Sequence, residues 1–203
     1  GGCSLSSLFS VKSELAIAPG DLVCCYIGRL TKHKGVEELM DAFSRIMPAD
    51  PHVKLIMLGR YEQHLDPMED KYITEIETSA QIINLGYKND IRPYLALSNL
   101  FVFPSYREGM PNVVLQAGSF DLPCIVTDIP GSNEIIKDGY NGLIISTKNA
   151  DALFKAINYL IENEEIRKSM GRCARSEVQR KYVRKIIMEE VKKEYYSWIH
   201  EKN

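Results

Sequence analysis

Six short apolar runs recur along the chain, each bounded by turn residues: "LVCCYIG" (22–28), "VKLIMLG" (53–59), "IINLG" (82–86), "NLFVFPS" (99–105), "CIVTD" (124–128) and "GLIIS" (142–146). Each is rich in Val, Ile or aromatic residues and lacks polar alternation. That is the signature of a strand buried on both faces. Between the runs lie helical patterns. "EELMDAFSRIM" (37–47) sets Leu39, Phe43, Ile46 and Met47 on one stripe, and "MEDKYITEIETSA" (68–80) does the same with Tyr72, Ile73 and Ile76. "DIRPYLALS" and "NVVLQAGSF" read as shorter helices. Strands alternating with helices through short connectors predict an α/β fold, a Rossmann-like, doubly wound parallel sheet of about six strands.

Past residue 148 the strand signal stops. Two consecutive helices are predicted up to about residue 182, with Asn149 and Asn163 as N-caps. A last amphipathic helix follows, carrying Ile186, Ile187, Val191, Tyr195 and Trp198. It packs either on the same sheet or on a surface this chain does not supply. The expected organisation is a boundary segment at 1–20, one nucleotide-binding domain at 21–183, and a C-terminal helix at 184–203.

The totals limit what such a domain can do. With 203 residues it can bury a core without disulfides. A net charge of −2 gives no bulk attraction to nucleic acid or to an anionic membrane, so an anion site must be local. The five cysteines are odd in number, and Cys24, Cys25 and Cys124 fall inside apolar runs. Cys3 and Cys173 are the others. That suits reduced, buried thiols and a cytoplasmic location. No Cys-x-x-Cys or His-x-x-x-His pair suggests zinc. No signal peptide and no apolar stretch of membrane-spanning length is present.

An open parallel sheet binds ligands beyond the C-terminal ends of its strands. After the first run comes "GRLTKHKG" (28–35). Gly28 ends the strand, and Arg29 and Lys34 flank a turn before the next helix. Two cations there can make an anion pocket; the plainer reading is an exposed basic turn. This is not a P-loop, and no Gly-x-Gly-x-x-Gly supports a dinucleotide cofactor. After the fourth run comes "REGMPNVVLQAG" (107–118). Gly109 and Pro111 permit a tight turn, and Asn112 is placed to cap the following helix. That helix's free N–H groups would attract phosphate. Glu108 stands where a carboxylate could meet a sugar hydroxyl, and Gln116, four residues after Asn112, is expected along the cleft side. Val113, Val114, Ala117 and Phe120 are expected to face the core. The plainer readings are a carboxylate favoured by the helix dipole and a solvated amide.

Three stretches, "GRLTKHKGVEELMDAF", "LGYKNDIRPYLALSNLFVFPSYREGMPNVVLQAG" and "DLPCIVTDIPGSNEIIKDGYNGLII", together resemble the C-terminal half of a family 4 glycosyltransferase of GT-B architecture (glycosyl transferases group 1). The resemblance runs from about Leu22 to Ile145, and its nearest flavour is bacterial capsular or exopolysaccharide synthesis. It implies that Arg29 and Lys34 bind the diphosphate of a UDP- or GDP-linked sugar. It implies that Glu108 contacts the donor hexose at the reacting centre. Gln116 stands where the family carries a second Glu, which bonds the ribose; a Gln can still accept there, without charge assistance. Gly28 and Gly109, with the backbone N–H groups of Met110, Asn112 and Val113, would complete the phosphate site. The base would lie near Gly86, Tyr87 and Lys88.

The same resemblance implies a retaining hexosyl transfer without a metal cofactor, and no Asp-x-Asp pair occurs to hold Mg²⁺. It implies a glycan or lipid-linked acceptor held by an amino-terminal domain, peripheral membrane association of a full-length enzyme, and little transfer by this donor half alone. The alternative is a non-catalytic sugar-nucleotide-binding module. His33, His52, His64 and His200 receive no catalytic assignment; His33 could lie beside the phosphates.

Overall fold

The structure is a computed structural model that describes residues 5–182, with side chains from residue 10. Cys3, His200 and the expected terminal helix lie outside the described residues.

Six strands form one sheet: β1 Leu22–Ile27, β2 Val53–Leu58, β3 Ile82–Asn84, β4 Leu100–Phe103, β5 Cys124–Thr127 and β6 Gly142–Ile145. Each lies inside an apolar run and stops one or two residues before the run's end, where Gly, Pro or polar residues take over. Every pairing is parallel, in the order β3-β2-β1-β4-β5-β6. The expected doubly wound sheet is therefore present. β1 and β4 are neighbours in space but far apart in sequence, and the direction of winding reverses between them. A crevice opens at such a reversal, beyond the carboxyl ends of the strands.

Helices cover both faces. They are α1 Leu5–Glu14, α2 Val36–Ile46, α3 Asp70–Thr78, α4 Arg92–Leu97, α5 Asn112–Ser119, α6 Ser132–Ile135, α7 Ala150–Glu162 and α8 Glu164–Lys181. α2 lies against α3 and α7, α5 against α6 and α8, and α1 against α4. The central strands are sealed on both sides: Val23 to Tyr26, Leu55 to Met57 and Leu100 to Val102 are almost fully buried. On α2 the expected stripe is inside, with Leu39 and Phe43 fully buried and Met47 packed at its margin. None of the helices among the described residues is long and apolar enough to cross a membrane.

Residues 1–20, expected as a boundary segment, carry the helix α1, and Ile17 after it joins the core. Two expected helix caps are corrected. Asn112 does not cap α5: Pro111 holds that position, its carbonyl accepting from the Val114 N–H at 2.9 Å, and Asn112 is the first helical residue. Asn149 does cap α7, accepting from the Ala152 N–H at 2.8 Å. Asn163 does not cap α8 with its side chain, because its amide donates back to the Tyr159 carbonyl at 2.8 Å.

Candidate functional site

The loop after β1 is built on buried anchors. Tyr26 points inward from the strand, and its hydroxyl donates to the Arg29 carbonyl at 2.7 Å. Burial, with the nearby charge of Glu108 adding to it, pushes that hydroxyl far above its ordinary range, so it stays a donor. Leu30 is buried and donates its N–H to the Arg60 carbonyl at 2.8 Å, tying this loop to the one after β2. A 3-10 turn, Lys32–Lys34, then leads to Gly35 at φ +71°. A Cβ at Gly35 would lie 2.1 Å from the Pro104 carbonyl oxygen, so this loop rests directly on the end of β4.

The loop after β4 is held from the other side. The buried Thr127 hydroxyl donates to the Ser105 carbonyl, and the Tyr106 N–H donates to the His33 carbonyl at 2.9 Å. Tyr106 also donates its hydroxyl to Glu38 at 2.5 Å. Gly131, at φ +83°, lies so close that a Cβ would be 1.7 Å from the Gly109 carbonyl oxygen. Three loops thus converge on the start of α5, whose first N–H groups have no intrahelical acceptor.

Both cations expected at the site are paired with carboxylates. Lys34 Nζ bonds the Glu108 carboxylate, with only 12% and 15% of the two side chains exposed. Arg29 Nη1 donates to Glu62 at 2.9 Å, and its Nη2 lies 3.3 Å from His33 Nε2. His33 Nδ1 lies 2.6 Å from Asp66 Oδ2, which also accepts the His33 backbone N–H at 2.6 Å. Burial works to raise the Asp66 carboxyl, but the two bonds from His33 and the charge of Lys32 outweigh it and hold the group below its ordinary value.

Three adjoining clefts open here. The largest, about 610 Å³, is lined by Gly28, Arg29, Arg60, Glu62, Tyr87, Lys88 and Val113 among others. Its volume suits a small-molecule ligand. Tyr87 is exposed at its rim, with the Arg60 guanidinium 4.7 Å above the ring centroid. A second, about 220 Å³, shares Gly28, Arg29 and Val113 with the first and adds Lys34, Glu108, Met110 and Asn112. A third, about 320 Å³, is formed by Arg29, His33, Lys34, Arg107, Glu108 and Gly109. Among the described residues, no group of three or more His, Cys, Asp and Glu side chains is arranged to hold a metal ion.

The expected site residues therefore come together, with two exceptions. Gln116 is exposed and lines none of the three clefts. It lies one turn, about 6 Å, further along α5 than Asn112, while Asn112 and Val113 at the helix start reach the cleft. Val113, expected to face the core, is half-buried: it packs against the core and also lines two of the clefts. Gly86 does not line them but accepts the Gly59 N–H at 3.0 Å, which places Tyr87 and Lys88 at the rim. Arg60, Glu62 and Arg107 also line the clefts and Asp66 holds His33, none of them with a role expected from the sequence. A signal was available: "GRYEQHLD" (59–66) follows β2 with the same Gly-Arg pair that follows β1.

A parallel sheet in this order, with two cations and a helix N-terminus gathered where its winding reverses, is a Rossmann-like α/β fold. Residues 10–177 match the family described as Glycosyl transferases group 1. The chain belongs to that family, and its fold is one half of a GT-B enzyme. The capsular polysaccharide biosynthesis glycosyltransferase CapM of Staphylococcus aureus is 29% identical over 181 residues, covering 89% of this chain and 47% of CapM. The crystal structure of HepE from Anabaena in complex with UDP matches at a TM-score of 0.85 and 22% identity, over 97% of this chain and 54% of that one. The C-terminal domain of the group 1 glycosyltransferase LpcC from Francisella tularensis matches at 0.76 and 21% identity, over 88% of this chain and 93% of that domain. The chain spans about half the length of the curated relatives it matches.

Proposed function

We propose that this chain is the donor-binding half of a hexosyltransferase that uses a UDP- or GDP-linked sugar. The observation that carries the reading is the arrangement at the switch point: Arg29, Lys34 and the start of α5 line adjoining clefts around Glu108. The diphosphate would lie between the two cations and the N–H groups of Met110, Asn112 and Val113. The base would enter the 610 Å³ cleft toward Tyr87 and Lys88. The hexose would then meet Glu108 beside Gly109.

Cleavage of the sugar–phosphate bond leaves negative charge on the departing diphosphate. Fixed cations and a helix N-terminus stabilise that charge without reorganising as the bond breaks, and no metal is invoked. Lys34 and Glu108 exchange partners in the process. In the structure each neutralises the other; with donor bound, Lys34 would turn to phosphate and the Glu108 carboxylate would be released toward the hexose. Retention of anomeric configuration belongs to the same proposal, and the coupling constant of the product's anomeric proton tests it. The acceptor, a glycan or a lipid-linked glycan, would be held by residues outside this stretch. The 203 residues alone would bind donor and transfer little.

Titration calorimetry with UDP and GDP is the direct test. Arg29→Ala and Lys34→Ala should each weaken nucleotide binding about 10- to 100-fold, as expected for loss of a charge-assisted phosphate contact. Unchanged affinity in both variants would remove the site.

A further inference from the structure

An arginine guanidinium stays protonated and offers only donors. The 3.3 Å contact between Arg29 Nη2 and His33 Nε2 is therefore a hydrogen bond only if Nε2 carries its lone pair. The ring proton must then sit on Nδ1, where Asp66 Oδ2 takes it at 2.6 Å. The same carboxylate oxygen accepts the His33 backbone N–H, so Asp66 fixes both the position of the residue and the tautomer of its ring. Asp66 and Glu62 belong to one turn after β2, the Asp66 N–H donating to the Glu62 carbonyl at 3.2 Å. That single turn holds the guanidinium on two sides, directly through Glu62 at 2.9 Å and indirectly through His33.

We propose that Asp66 and His33 form a positioning pair that orients Arg29 for the donor diphosphate, an inference that rests on the donor-site reading above. His33 acts through Arg29 and is a positioning residue. A free arginine has many rotamers to lose when it grips a ligand, and fixing its plane beforehand lowers that cost. A loop staple would need only the Asp66 bonds; the second ring nitrogen, turned to the guanidinium, is what a staple does not require.

The test is calorimetry with UDP and GDP on the 203-residue chain and on Arg29→Ala, His33→Ala, His33→Asn, His33→Gln and the Arg29→Ala/His33→Ala double variant, with thermal melts to verify folding. Asn can keep the donor that bonds Asp66, and Gln can place an acceptor near Nε2. His33→Ala should weaken nucleotide binding about tenfold, by loss of the preorganised donor. It should add nothing in the Arg29→Ala background, as expected for residues acting as one unit. Gln should recover more affinity than Asn. Additive losses in the double variant, recovery by Asn equal to that by Gln, or wild-type affinity in His33→Ala would each overturn the positioning role while leaving a functional Arg29 in place. Wild-type affinity in Arg29→Ala would remove Arg29 from the donor contact and the positioning role with it; no binding of either nucleotide by the wild type would remove the donor site as well.

Discussion

Arg29 and Lys34 each meet a carboxylate at the cleft, Glu62 and Glu108, and the His33 ring meets Asp66. Such pairing keeps the cations from being stranded in a half-buried loop, where an unpaired charge is costly. It also makes the loop sensitive to acid. The Asp66 carboxyl titrates below its ordinary value in the folded chain, so its contribution to stability is complete above the unfolded value of about 4 and is lost as pH falls through the lower folded one. Thermal melts of wild type and Asp66→Asn across pH should show a gap in Tm that is constant above about pH 5 and closes in more acid solution. A gap independent of pH would mean that the Asp66 charge contributes nothing. These partners were not legible in the sequence. Glu62 and Asp66 stand 33 residues from Arg29 and His33, and only the pairing of β1 with β2 brings them there.

At the scale of elements, the site depends on how closely the strand ends approach. The loops after β1 and β5 touch the loop after β4 through Gly35 and Gly131, both at positive φ and both with no room for a Cβ. Gly35→Ala and Gly131→Ala combine a left-handed backbone penalty with a steric clash and should each destabilise the chain by about 2–5 kcal/mol. Chemical denaturation measures this directly, and a loss below 1 kcal/mol would mean that the loops shift freely. The strands were legible because a β-branched, apolar run ended by Gly or Pro has few other fates. α1 was not: four serines in "LSSLFSVKSE" lower its helix propensity and blur its apolar stripe. The cap of α5 was misplaced by one residue because Pro111, with its φ already fixed near −76°, takes the position that Asn112 would favour. Gln116 was read by helical spacing alone, which fixes the side of a helix but not how far along it a cleft extends.

For the whole molecule, a net charge of −2 means that any attraction for a nucleoside diphosphate is local to the switch point. On the proposed reading, the described residues form the donor-side wall of a cleft, and transfer requires an acceptor-side domain facing the strand ends. The measurement that bears most directly on this account is a crystal structure of the chain with UDP or GDP. The account predicts a diphosphate held by Arg29, Lys34 and the N–H groups at the start of α5, with Lys34 parted from Glu108 and the base beside Tyr87. A nucleotide seated elsewhere on the molecule, or a diphosphate bound with the Lys34–Glu108 pair intact, would contradict it.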